Sequence, residues 1–187
     1  MRGVVLATGA SAAVPSRPYS ALIVGGLWPA SDPQSWSQSA SALRQKGQEL
    51  LAAADGIRHS ADNVVTEGQS GHTIDGFVDA CHRNAHTVTA HADEYFTMAA
   101  SADEIAGLLD GLRQDLDDVD RQANEEIARI LSSGGGGFTS ATKAAMLNTV
   151  VAQARTVATE KHTVAATAIS SHTAKIAGEA AAAAAPT

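Results

Sequence analysis

One cysteine, Cys81, is all this chain has, so it forms no internal disulfide. Aromatic side chains are scarce: two Trp, two Tyr and three Phe make up 4% of 187 residues. That scarcity excludes a thick core built on large rings. Heavy use of alanine, which buries little area, points instead to close contact between helices. Positive charge is short as well. Thirteen Lys and Arg against twenty Asp and Glu leave a net charge of −7. The cations are scattered singly, so there is no basic face for a phosphate backbone. No run of 18 apolar residues occurs, which excludes an ordinary transmembrane helix. Proline is rare beyond the first thirty residues, which hold Pro15, Pro18 and Pro29 of the five. The stretch Met1-Arg2 followed by Gly3 to Ala7, with Ala10-Ser11-Ala12, has the outline of a signal peptide. Its apolar run is too short, and residues 1–30 read as an irregular arm.

What is present is periodicity. Trp36, Ala40, Leu43, Gly47, Leu50, Ala54, Ile57, Ala61 and Val64 follow one another in alternating steps of four and three. Such spacing holds one edge of a helix toward a partner helix along its whole length. Asp32 as N-cap and Pro33 in the first turn open this helix, because neither wastes a backbone N–H. Gly47 lies on the seam, where close approach by a neighbour would account for it. Gly56 has no such account.

Helix breakers divide the rest. Thr66-Glu67-Gly68-Gln69-Ser70-Gly71 stops the first helix, with Gly68, Gln69, Ser70 and Gly71 forming a tight reversal. A second helix follows on an apolar stripe from Ile74 and Phe77 through Cys81, Ala85, Val88, Ala92, Tyr95 and Ala99 to Leu116, Val119, Ala123, Ile127 and Ile130. Ser101-Ala102-Asp103-Glu104 matches a capping box. The stripe crosses it without a phase slip, which favours one continuous helix. Ser132 to Gly137 is the second break, after which Phe138 and Thr139 resemble a staple and an N-cap. In the third helix Val150, Val157 and Val164 recur at seven, as do Ile169 and Ile176. The expected fold is all-α, an elongated antiparallel helical hairpin or bundle with very long helices at about 32–65, 72–132 and 140–180. Residues 31–180 form the bundle and 181–187 an Ala/Pro linker or tail.

This layout of long helix, Gly-containing turn and long helix resembles the WXG100 superfamily, the helical hairpins exported by type VII (ESX) secretion. Gln69-Ser70-Gly71 followed by Phe77, and Thr66-Glu67-Gly68 followed by Ile74, have the family's spacing from glycine to apolar residue. The family's turn tryptophan is absent. Tyr19 to Pro33, with Trp28-Pro29, Asp32 and then Trp36, is similar to the segment before the first helix in WXG100-like N-terminal domains of actinobacterial polymorphic toxins, the mycobacterial channel and necrotizing toxin protein among them. The resemblance covers residues 19 to 132. It implies a secreted or cell-envelope, export-associated domain that pairs with small WXG100-like helical proteins, with any toxin activity beyond Thr187. The family's Tyr-x-x-x-Asp/Glu export motif is missing, since Tyr19 is followed at the fourth place by Ile23 and Tyr95 by Ala99. The signal would then lie in a partner or outside this stretch.

Chemistry is sparse. His82 and His86 stand one helical turn apart near Cys81 and His91, and two ligands are not a site unless another helix supplies a third, with His72, His162 and His172 as candidates. Surface histidines are the plainer reading. The acidic run Asp110, Asp115, Asp117, Asp118, Asp120, Glu125 and Glu126 lacks the glycine and spacing of a calcium loop and reads as a solvated face beside Arg113, Arg121 and Arg129. Gly134 to Gly137 lacks the Lys-Ser/Thr of a phosphate loop. The expectation is therefore a non-enzymatic domain without cofactor or metal and with no nucleic-acid partner. It assembles through a packing seam that includes Trp28, Trp36, Leu43, Leu50, Ile57 and Phe77. A self-assembling helical scaffold, that is a homo-oligomer unrelated to secretion, is the alternative. The Ala-rich seams leave membrane association possible, but it is not indicated, because the opposite faces are acidic and disfavour anionic lipid.

Overall fold

The computed structural model describes residues 14–66, 71–133 and 139–184. The protein is all-α: α1 is Ser20–Ile23, α2 Pro33–Thr66, α3 His72–Ser132 and α4 Ser140–Ala183. No strand occurs among the described residues. Punctuation in the chain explains the lengths. Pro33 opens α2, and the next proline is Pro186. Thr139 starts α4 by accepting the Thr142 N–H on its Oγ1 at 3.2 Å. α3 runs through Ser101 to Glu104 unbroken, with Ser101 buried in the helix rather than capping a new one.

The chain divides into two compact units. Trp36 to Glu104 and the stretch from His172 onward form one, and the segment up to Ser35 with Ile105 to Ser171 forms the other.

In the first unit α2 and the N-terminal half of α3 pair antiparallel. As numbers rise on α2 they fall on α3: Arg44 bonds to Asp103, Gly47 meets Phe96, Arg58 Nη2 donates to Thr89 Oγ1 at 2.8 Å, and Asp62 faces His82. The line of contact is made of small residues seven apart. Ala40, Ala54 and Ala61 on α2, and Ala85, Ala92 and Ala99 on α3, are all fully buried. Gly47 completes the α2 line. Small residues let the helix axes approach, and larger neighbours then seal the edges while staying half-exposed. Leu43, Leu50, Ile57 and Val64 do this on α2, and Ile74, Cys81, Val88 and Tyr95 on α3. Toward one end Ile176 of α4 packs with Trp36 and Leu43 over Ala40, Ala99 and Ala102.

The two α2 glycines therefore differ. A Cβ on Gly47 would stand 2.9 Å from the Phe96 ring, whereas a Cβ on Gly56 meets nothing within 4 Å. Gly47→Ala should destabilise by about 1–3 kcal/mol through overpacking. Gly56→Ala should stabilise by about 1 kcal/mol through helix propensity. Opposite shifts of the urea midpoint are the expected result.

In the second unit the arm takes the place of a third helix. It is less irregular than its prolines suggest, because α1 gives it one helical turn. Ile23, Val24 and Leu27 are buried against Leu112, Leu116 and Ala123 of α3 and Ala158 and Ala165 of α4, with Tyr19, Trp28, Val119, Val150, Val151 and Ala154 around them. A Cβ at Gly25 would fall 2.1 Å from the Ala21 carbonyl oxygen, and Gly26 has φ +74°, so the exit from α1 needs both glycines. The seven-spaced valines do not form the inner line of α4. Val150 is half-buried, but Val157 and Val164 are 42% and 72% exposed, and the inward positions are Val151, Ala154, Ala158 and Ala165. As in the hairpin, alanine rather than valine occupies the close contact.

Candidate functional site

Of the residues expected to form the turn, Gly68, Gln69 and Ser70 lie outside the described residues. Gly71 has φ +127°, a backbone that favours glycine. The seam residues are distributed between the units. Trp28 packs on the arm's core in one, while Trp36, Leu43, Leu50 and Ile57 lie along the hairpin in the other. Phe77, one edge of the same hairpin, is 50% exposed.

The two flanks of the hairpin differ chemically. Steps of three, four and seven place Leu50, Ile57 and Val64 of α2 on the same side as Ile74, Phe77, Cys81 and Val88 of α3. Around Ile57, Val64 and the start of α3 the rim of this flank is formed by Ala53, Gly56, Ser60 and Asn63 on α2 and Ala80 and Asn84 on α3, all exposed and all uncharged, whereas Lys46 and Glu49 stand on the same lines one repeat earlier, beside Leu50. The other flank carries Asp55, Arg58 and Asp62 on α2 and Asp79, His82 and His86 on α3. Arg58 there is held by Asp55 at 2.7 Å. A half-buried apolar strip with an uncharged rim has the composition of an interface core, from which charge is depleted. Gly56, unexplained by the fold, stands on that rim.

A second constellation fixes the arm. Asp120 is 0% exposed, which overturns its reading as part of a solvated acidic face. Its carboxylate accepts from Ser20 Oγ at 2.6 Å, Arg17 Nη1 at 2.8 Å and Asn124 Nδ2 at 3.1 Å. Arg17 Nη1 also donates to Asp117 at 2.7 Å. That hydrogen bond, with the nearby guanidinium charge, holds the Asp117 carboxyl below its usual range, and the two carboxylates raise Arg17. From α4, Arg155 Nη1 donates to the carbonyls of Ile23 at 3.1 Å and Gly25 at 2.6 Å, closing the C-terminal end of α1. From α3, Arg113 Nη2 donates to the Ser31 carbonyl at 2.9 Å beside Asp32. Sequence spacing held a signal for Asp120, since Leu116, Asp120 and Ala123 continue the stripe in steps of four and three. Its partners, about a hundred residues earlier, had none.

Cys81 is half-buried in the hairpin, and His91 Nδ1 lies 3.0 Å from Glu94. Among the described residues no three His, Cys, Asp or Glu side chains converge as metal ligands. No described helix is long and apolar enough to cross a membrane. Comparison with protein-family models, curated proteins and solved structures finds no match to this chain.

Proposed function

We propose that the chain is a non-enzymatic assembly domain whose α2–α3 hairpin receives partner helices on its uncharged flank. The observation that carries this is the strip of Ile57, Val64, Ile74 and Phe77, half-buried or exposed, inside a rim without charge among the described residues. The reading is supported by Ile176 of α4, which packs with Trp36 and Leu43 against Ala40, Ala99 and Ala102. A partner helix with an apolar residue at every third or fourth place and small, neutral neighbours would continue that packing.

The resemblance to WXG100-like domains gives this assembly a setting. The chain would be a type VII (ESX) secretion-associated domain, secreted or held at the cell envelope. It would pair with small WXG100-like helical proteins and serve as the export or channel module of a larger actinobacterial toxin. A self-assembling scaffold is the second reading. It is favoured by the same lack of charge, since two copies of a chain with net charge −7 repel unless their contact face is neutral.

The test is co-purification of the tagged chain from its own host, beside an Ile57→Glu variant. Ile57 is only half-buried, so helicity by circular dichroism should persist in the variant. Small helical proteins in fixed stoichiometry, reduced at least tenfold by Ile57→Glu, are the expected outcome. Recovery of the chain alone as a discrete homo-oligomer that Ile57→Glu dissolves would replace the secretion reading with the scaffold. Equal recovery with both chains would sink the docking flank itself.

A further inference from the structure

We infer that the outward face of α4 docks a helix of another protein, one that carries a lysine or arginine and seats it on Glu160. Val157 and Val164, which the core of the arm-containing unit does not use, belong to a second seam on this helix. Met146, Val150, Gln153, Val157, Glu160 and Val164 follow one another in steps of four and three, and all but half-buried Val150 are exposed. Such spacing turns one edge of a helix toward a partner along its length. The threonines beside the seam suit it to an interface. Thr149, Thr156 and Thr163 donate their hydroxyls to carbonyls one turn earlier on α4, at 3.0, 3.0 and 2.8 Å. The helix itself takes up these protons, so a partner need supply no acceptors for them.

Charge selects the occupant. Between Ser140 and Ser171 the charged residues are Lys143, Arg155, Glu160 and Lys161. The three cations are engaged within the chain. Lys143 donates to the Ser133 carbonyl, Arg155 to those of Ile23 and Gly25, and Lys161 pairs with Asp115. Glu160 has no cation three or four places away on α4 and no ion pair among the described residues. A lone charge in a neutral seam is selective, because covering it without a counter-ion is costly. A second copy of the chain supplies none. Parallel pairing sets Glu160 against Glu160, antiparallel pairing meets only cations of this stretch that are already engaged, and each copy carries −7. A helix with apolar residues at every third or fourth place and one lysine or arginine among them matches both the valines and the carboxylate. This face belongs to the arm-containing unit and is independent of the hairpin flank.

The experiment titrates the full chain into two labelled synthetic peptides and follows fluorescence anisotropy. Each peptide is about four heptads long with leucine at the seam positions. They differ at one central seam position, which is lysine in one and glutamate in the other. The lysine peptide should bind saturably and at least about tenfold more tightly than the glutamate peptide. Glu160→Lys should reverse that preference. Val157→Asn should weaken the lysine peptide severalfold, and Ile57→Glu on the hairpin should bind it as the parent does. All three positions are exposed or half-buried, so circular dichroism should show parental helicity in each variant. Absence of saturable binding up to millimolar chain overturns the inference. So does equal affinity for the two peptides, a preference that survives Glu160→Lys, or binding that Ile57→Glu abolishes and Val157→Asn leaves intact. A dimer of the parent in sedimentation that Glu160→Gln strengthens would put a second copy on this face and overturns it as well.

Discussion

Arg17→Met is expected to destabilise the arm-containing unit by about 3–5 kcal/mol, the cost of leaving a buried ion without its partner. Asp120 has no access to solvent, and after the substitution Ser20 and Asn124 are the hydrogen-bond donors left to its carboxylate among the described residues. The loss should exceed what one surface ion pair gives, because exposed pairs contribute about 0–1 kcal/mol. Adding Asp120→Leu to Arg17→Met should recover much of the deficit, since the charge that needs the arginine is then gone. Urea unfolding followed by limited proteolysis of the arm reads both effects. A loss below about 1 kcal/mol would show that the arm is held by its apolar residues and by Arg155 and Arg113 rather than by Arg17.

The same contact has a signature in pH. Asp117 is held below its ordinary 3.8 by Arg17. A carboxyl depressed in the folded state contributes stability that is fully present above the ordinary value and disappears as pH falls through the lower, folded one. Acidification below about pH 4 should therefore loosen the parent arm, and the Arg17→Met variant should show a shallower acid dependence.

Leu116→Ala is the second large effect, expected at about 3 kcal/mol. Leu116 is fully buried and shares a cluster with Ile23, Val24, Leu112, Ala123, Ala158 and Ala165. The alanines around the gap have no longer side chain with which to refill it, so the cavity should persist. Val164→Ala removes two methyl groups from a residue that is 72% exposed and should change stability by less than about 0.5 kcal/mol. Urea unfolding of the two variants side by side separates inward alanine line from outward valines on α4. Equal losses would mean that the inward face of α4 is misassigned.

The helical character of the chain is legible because prolines cluster before Pro33 and glycines cluster at 68–71 and 134–137. Stripes on α2 and α3 are legible too, since charged residues interrupt their outer faces. α4 differs. Alanine, threonine and valine occupy nearly its whole circumference, so composition does not select the inward face, and its valines mislead. Asp120 shows another limit. Its spacing marks it as inward, but six acidic neighbours on the same helix make a solvated face the natural reading. Arg17 and Ser20, which make its burial tolerable, lie outside any local pattern. The docking flank was visible as apolar spacing, and its missing charge became apparent only when α2 and α3 were set side by side.

The alanine lines of the hairpin have a consequence for alignment. Ala40, Ala54 and Ala61 face Ala85, Ala92 and Ala99 as two rails with the same seven-residue repeat. A slide of one helix by seven residues would set alanine on alanine again, at almost no cost in packing. What forbids the slide is the single irregular notch. Phe96 fits where Gly47 has no Cβ, and a slide by one repeat would press its ring onto the methyl of Ala40 or Ala54. One glycine and one phenylalanine thus act as the key that fixes register in a hairpin whose repeat would otherwise permit several.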